Sequence, residues 1–167
     1  CGLPSKRGKA AATSQELIQN IGTIKSWKAA PLFINLAHHF YNELCGHTRS
    51  LKPGVARMLN QKKGIGEGIT QMGWDVIHEL LAEDNGRRVL VDIKHMSIKA
   101  RKEYYKMLDS QNRLNPNNRV PIVCSHTGFN AFKTMKASVR KKDKLGKMRK
   151  SDFHNWAINL SDEEIKI

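Results

Sequence analysis

Arg88-Val89-Leu90-Val91-Asp92-Ile93-Lys94-His95-Met96-Ser97 is the stretch that decides the reading of this chain. It has the aliphatic, β-branched composition of a short buried strand and ends on a histidine, with Ser97 set to cap a following helix. The same grammar recurs twice. Leu32-Phe33-Ile34-Asn35-Leu36-Ala37 runs into His38-His39, and Val120-Pro121-Ile122-Val123-Cys124-Ser125 runs into His126. Helical segments separate the three runs, and parallel strands need long crossovers, usually helices. The pattern therefore predicts parallel neighbouring strands near 32–37, 88–94 and 120–125, with their C-terminal ends and histidines on one rim.

That rim is where α/β folds carry chemistry, because in a (β/α)8 barrel the reacting groups come from the ends of several strands. Histidine is the commonest metal ligand and the commonest general base. A single histidine at a strand end is usually just a cap or a partner for a loop carbonyl; recurrence at three strand ends favours a site. The expected fold is α/β, a partial TIM barrel with crossover helices. At 167 residues the chain is long enough for one domain with a core. A closed eight-stranded barrel usually takes about 250, so residues 1–167 read as the middle portion of something larger. Both ends read as cut, since the chain opens on Cys1 and stops at Ile167 in what reads as the first turns of a helix.

The formal net charge of +14 raises nucleic acid or another anionic surface as a partner. Nine basic residues and one acid, Asp143, lie between 133 and 150. No aromatic residue interleaves with those cations for base stacking, so 140–156 reads as a basic, solvated insertion and nucleic acid as the less favoured partner. Cys1, Cys45 and Cys124 are odd in number and widely spaced, which argues against a disulfide scaffold or zinc finger. No apolar run reaches the length of a membrane span and no signal-peptide core is visible. The compartment stays open between cytoplasmic and exported, with lipidation at Cys1 one route to the latter.

Along the chain, Leu17, Ile18, Ile21, Ile24 and Trp27 repeat at helical spacing behind a Thr13 or Ser14 cap. Gly64-Ile65-Gly66-Glu67-Gly68 lacks the Lys-Ser/Thr ending of a phosphate loop and reads as flexible connection. Residues 69–83 form the expected crossover helix, with His78 turned away from the rim. Ser97 caps a helix over 97–108 that offers Ile98, Tyr105 and Leu108 to the sheet. A helix is also expected up to about Val139, and Ser161 caps another whose first turn is acidic.

With these segments in view, the chain resembles the renal or membrane dipeptidases, zinc-dependent hydrolases with a (β/α)8 barrel. Val91-Asp92-Ile93-Lys94-His95-Met96-Ser97 is similar to their Ile-Asp-Leu-Ala-His-Val-Ser segment, and 121–127 to their Pro-Val-Ile-x-Ser-His-Ser. Leu36-Ala37-His38 resembles their Leu-Thr-His, and Asn159-Leu160-Ser161-Asp162-Glu163 their Arg-Asn-Leu-x-Asp-Glu. The four segments agree in order and approximate spacing over residues 15–167.

The resemblance implies roles residue by residue. His95 and His126 match two histidines that ligate one zinc of a binuclear centre. His38 matches the histidine that contacts substrate and steadies the tetrahedral intermediate. The implied activity is hydrolysis of a dipeptide or related small amide by a metal-activated water, with a small peptide as partner and a homodimer left open. The chain departs from the family in having no His-x-Asp, and Glu16 lies in a helix rather than in the place of the bridging glutamate. The family's catalytic aspartate would fall beyond Ile167, and Arg140 is the nearest arginine for gripping a substrate carboxylate. The resemblance thus implies an internal piece of the enzyme, inactive or nearly so by itself. The competing readings are a basic nucleic-acid-binding α/β domain and a non-catalytic barrel that only binds a ligand.

Overall fold

Thr13 opens the first helix, α1 (Ser14–Lys25), through a capping box. Its hydroxyl accepts from the Glu16 N–H at 3.2 Å, and the Glu16 carboxylate accepts from the Thr13 N–H at 3.1 Å. Two donors at the helix start are thereby satisfied. Leu17 and Ile21 are buried. Trp27, expected on the same apolar stripe, lies past the helix end and is 56% exposed, while Lys25 is buried instead. Lys25 Nζ donates to the carbonyls of Glu79 at 2.9 Å and Ala82 at 2.8 Å. It thus caps the end of the crossover helix α2 (Gln71–Leu81), where carbonyls lack partners within the helix.

The structure, a computed structural model, describes residues 12–51, 55, 59, 61–84, 86–139 and 156–167. Among them the architecture is mixed α/β, with two parallel strands and five helices. Strand β1 (Phe33–Asn35) pairs with β2 (Leu90–Asp92) in the register Phe33↔Leu90, Ile34↔Val91, Asn35↔Asp92. The remaining helices are α3 (Ile98–Leu114), α4 (Met135–Ser138) and α5 (Asp162–Ile165). Val76, Ile77 and Leu80 of α2, Val91 of β2, and Ile98, Tyr104 and Leu108 of α3 meet in one apolar core.

The third expected strand, 120–125, is not formed. Val123 makes one parallel bridge with Asp92, and its carbonyl accepts from the Ile93 N–H at 3.0 Å. At its start the run is tied to α3 instead. The Asn112 side chain accepts from the Val120 N–H at 2.7 Å and donates to the Val120 carbonyl at 3.0 Å. Pro121 has no N–H to give. Both effects withdraw backbone groups that a ladder would use, yet the run still lies alongside β2 in parallel.

Three other expectations are revised. The helix after His95 runs to Leu114 rather than Leu108, while the one expected up to Val139 is a single turn. Residues 64–68 are pinned rather than loose. Gly64 O accepts from the His47 N–H at 3.0 Å, His47 O from the Gly66 N–H at 3.1 Å, and Gly68 O from the Gly46 N–H at 2.9 Å. The His47 ring, fully buried, spans the same loop between Thr48 O at 3.0 Å and Lys63 O at 2.9 Å.

Ser97 caps α3 as expected, its hydroxyl accepting from the Ala100 N–H at 3.0 Å and donating to Glu67 O. Ser161 sits at the N-cap of α5, where the Glu164 carboxylate accepts from both its N–H and its hydroxyl. Of the basic insertion 140–156 only Trp156 is described, and it is buried. Arg140 and Cys1 also lie outside the described residues. Cys45 and Cys124 are free thiols. Among the described residues no helix is long and apolar enough to cross a membrane.

Candidate metal centre

The register of the sheet assembles the site. Asn35 and Asp92 are Cα partners, and Asp92 bridges Val123, so three parallel segments are aligned at these positions. Three residues further along each segment stands a histidine: His38, His95 and His126. The His38 and His95 ring centroids are 4.6 Å apart and those of His95 and His126 5.3 Å. The three residues singled out in the sequence are thus neighbours. His78, in contrast, lies on the exposed face of α2, stacked on Trp74.

His39, the second member of the histidine pair that ends the first run, also joins the cluster, although the resemblance gave it no role. Its ring centroid lies 4.0 Å from that of His38 and 5.1 Å from that of His95. A strict strand alternation would have sent adjacent side chains to opposite faces. β1 ends at Asn35, and the chain that follows is irregular, so alternation no longer applies. His39 Nδ1 is 2.6 Å from Ser50 Oγ, and Gln61 Nε2 donates to both His39 O and Ser50 Oγ.

His95 is held in an unusual backbone state. Met96 N–H donates to Ile93 O at 3.1 Å, closing a turn in which His95 has φ 69°. That left-handed value is one such turns usually give to glycine, and it costs a side-chain-bearing residue about 1–2 kcal/mol. Neighbouring bonds hold it there: the His95 carbonyl accepts from the Thr48 N–H at 2.9 Å and the Gly46 carbonyl from the Ser97 N–H at 2.9 Å.

Two ring nitrogens face each other, His95 Nε2 and His126 Nε2, at 3.2 Å. Two ligands each ~2.0–2.1 Å from a tetrahedral zinc would be separated by about 3.3 Å. In distance the pair matches the bite of a zinc ion, and without a metal the same approach is an N–H···N hydrogen bond between the two rings. His95 Nδ1 is buried without a hydrogen-bond partner, an uncompensated polar atom at the same place. Burial, followed by the neighbouring His38 and His39, pushes the His95 pKa down to about 3. His38 and His39 are also lowered, each chiefly by burial. Neutral imidazoles are the form a metal needs. Among the described residues, however, no group of three or more His, Cys, Asp or Glu is arranged to hold an ion. The fit is that of two ligands rather than a closed set.

Behind the cluster a second ring of polar side chains converges on Asp92, which is fully buried. Its Oδ1 accepts from the N–H groups of Lys94 at 3.0 Å and Ser125 at 3.1 Å. Its Oδ2 accepts from Asn35 Nδ2 at 2.6 Å and from Ser125 Oγ at 2.5 Å. Ser125 Oγ lies 2.7 Å from His126 Nδ1. The sequence signal for this ring was a pair of polar residues, Asn35 and Asp92, inside otherwise apolar strands.

A cavity of 510 Å³ opens beyond Ser97, lined among others by Arg49, Ile65, Lys99, Lys102 and Trp156. None of the four clustered histidines borders it. Comparison of the chain with protein-family models, curated proteins and solved structures gives no match.

Proposed function

We propose that this chain is part of a zinc-dependent hydrolase with a (β/α)8 barrel, acting on a dipeptide or related small amide, in which His95 and His126 bind the metal and His38 faces the substrate. The observation that carries this reading is the 3.2 Å approach of the two Nε2 atoms, on segments whose histidines share one register. Zinc in such a site supplies Lewis acidity and lowers the pKa of water to ~7. The chain's own residues supply the rest of its share. His95 stays neutral across the physiological range because burial and its neighbours disfavour the imidazolium. His38, lowered mainly by burial, is a neutral ring beside His95. It can donate a hydrogen bond to a carbonyl oxygen that gains charge as the amide is attacked.

Two imidazoles without a completing carboxylate bind zinc weakly, so the described residues by themselves should hydrolyse little. The test is a zinc titration of the metal-free chain by calorimetry, repeated with cobalt to read the ligand field. Binding is expected to be lost in His95→Ala and His126→Ala and kept in His38→Ala. Zinc uptake that survives the combined His95→Ala and His126→Ala change would overturn the assignment.

A further inference from the structure

We propose that Asp92 is the positioning residue of this centre: through Ser125 it fixes His126 in the tautomer protonated at Nδ1, leaving the Nε2 lone pair facing His95. The inference rests on the zinc reading for its purpose, but its hydrogen-bond logic is independent of any metal. Every neighbour of the Asp92 carboxylate is a donor. Two backbone N–H groups occupy Oδ1, and the Asn35 amide and the Ser125 hydroxyl occupy Oδ2. Each oxygen already accepts two hydrogen bonds, one of them from the Ser125 hydroxyl, whose hydrogen points at Oδ2.

A serine hydroxyl has one hydrogen to give. With that hydrogen committed to Asp92, the oxygen turned toward His126 Nδ1 at 2.7 Å must accept, and the ring nitrogen must donate. In the neutral ring Nε2 is then unprotonated, as metal ligation requires. A carboxylate that orients a metal-bound histidine usually contacts the ring itself. Here a serine relays the effect, and its own N–H is anchored to the same carboxylate.

Asp92→Asn reverses the chain of donors while keeping the shape. An amide nitrogen in the place of Oδ2 donates to Ser125 Oγ and to Asn35, whose side-chain amide flips to present its oxygen, and the Ser125 hydrogen then turns toward His126 Nδ1. The ring proton is forced to Nε2, where it blocks the metal. A comparable aspartate-to-asparagine change in a serine protease triad leaves geometry intact and traps the wrong histidine tautomer.

The experiment is long-range proton–nitrogen correlation NMR on the metal-free full chain labelled with 15N-histidine, recorded above the histidine titration range. His126 is expected as the Nδ1–H tautomer in the natural chain and as Nε2–H in Asp92→Asn. Zinc affinity should fall about 10- to 100-fold in that variant. Ser125→Ala, which removes the relaying hydroxyl but keeps the Ser125 N–H on Asp92, should release the tautomer preference, and Ser125→Thr should restore it. Should Asp92→Asn fail to fold, the Ser125 pair carries the same test. An Nε2–H tautomer in the natural chain, or a tautomer unmoved by Ser125→Ala, would overturn the proposal. A chain with the expected tautomer that binds no zinc would instead support this inference and sink the proposed function.

Discussion

Arg101 Nε and Glu164 Oε1 stand 2.7 Å apart, with side chains closed off from solvent, and join α3 to α5. The same carboxylate accepts from the Tyr105 hydroxyl at 3.1 Å, and Arg101 also donates to Ala157 O at 2.9 Å. Removing one partner would strand a buried charge. Arg101→Ala should therefore cost about 3–5 kcal/mol. Because Glu164 also takes the Tyr105 and Ser161 donors, the Arg101→Met, Glu164→Met double change should still be costly, but less so than its two single changes added together. Urea unfolding of the single and double variants checks this; strictly additive losses would mean the pair is not held as a desolvated unit.

Cys45 should be chemically silent in the folded chain. It is fully buried, and burial, with Glu103 adding to it, raises its thiol well above the ordinary value, so little thiolate forms at neutral pH. Peptide mapping after brief iodoacetamide treatment should find Cys45 unmodified, and modified once denaturant is added. Labelling at the same rate in both conditions would contradict the burial.

Acid should weaken the metal-free chain before its carboxylates titrate. In the unfolded chain His95 takes up a proton near 6.5, but in the folded chain only near 3. Between those values the unfolded state binds more protons, so stability is complete above 6.5 and is lost as pH falls through the window. His38 and His39 shift in the same direction. The upper part of the window lies above the carboxylate range of roughly 4, so a denaturation midpoint that falls there reports the histidines. A flat midpoint from neutral pH down to about 5 would show that they are more exposed.

Gly46→Ala and Gly22→Ala should move stability in opposite directions. A Cβ on Gly46 would strike the backbone carbonyl of Glu67, while one on Gly22 meets nothing within 4 Å. Overpacking at Gly46 should cost about 1–3 kcal/mol, and it should also weaken zinc binding because the Gly46 carbonyl receives the Ser97 N–H next to the His95 turn. Gly22, inside α1, should gain about 0.5–1 kcal/mol as alanine. Thermal melts of the two variants decide the signs.

The local grammar carried much of the fold. The apolar spacing of Val76, Ile77 and Leu80 foretold α2, and the capping residues Thr13, Ser97 and Ser161 foretold three helix starts. The grouping of His38, His95 and His126 was legible for a related reason, since each follows a short apolar run by a similar offset. What could not be read depended on distant partners. Lys25 and Arg101 look like solvated cations until Glu79, Ala82 and Glu164 are brought to them. The run at 120–125 keeps a single bridge to β2 while Val120 is held by the Asn112 side chain, and His39 enters the site because β1 ends before it.

The positive φ of His95 sets durability and chemistry against each other. Glycine would occupy that turn without steric penalty, so the backbone by itself favours the one residue that has no ligand to offer. His95→Gly would therefore relax the turn and remove the ring in one step, so a gain in heat resistance and the loss of the ring that His38, His39 and His126 surround would arrive together.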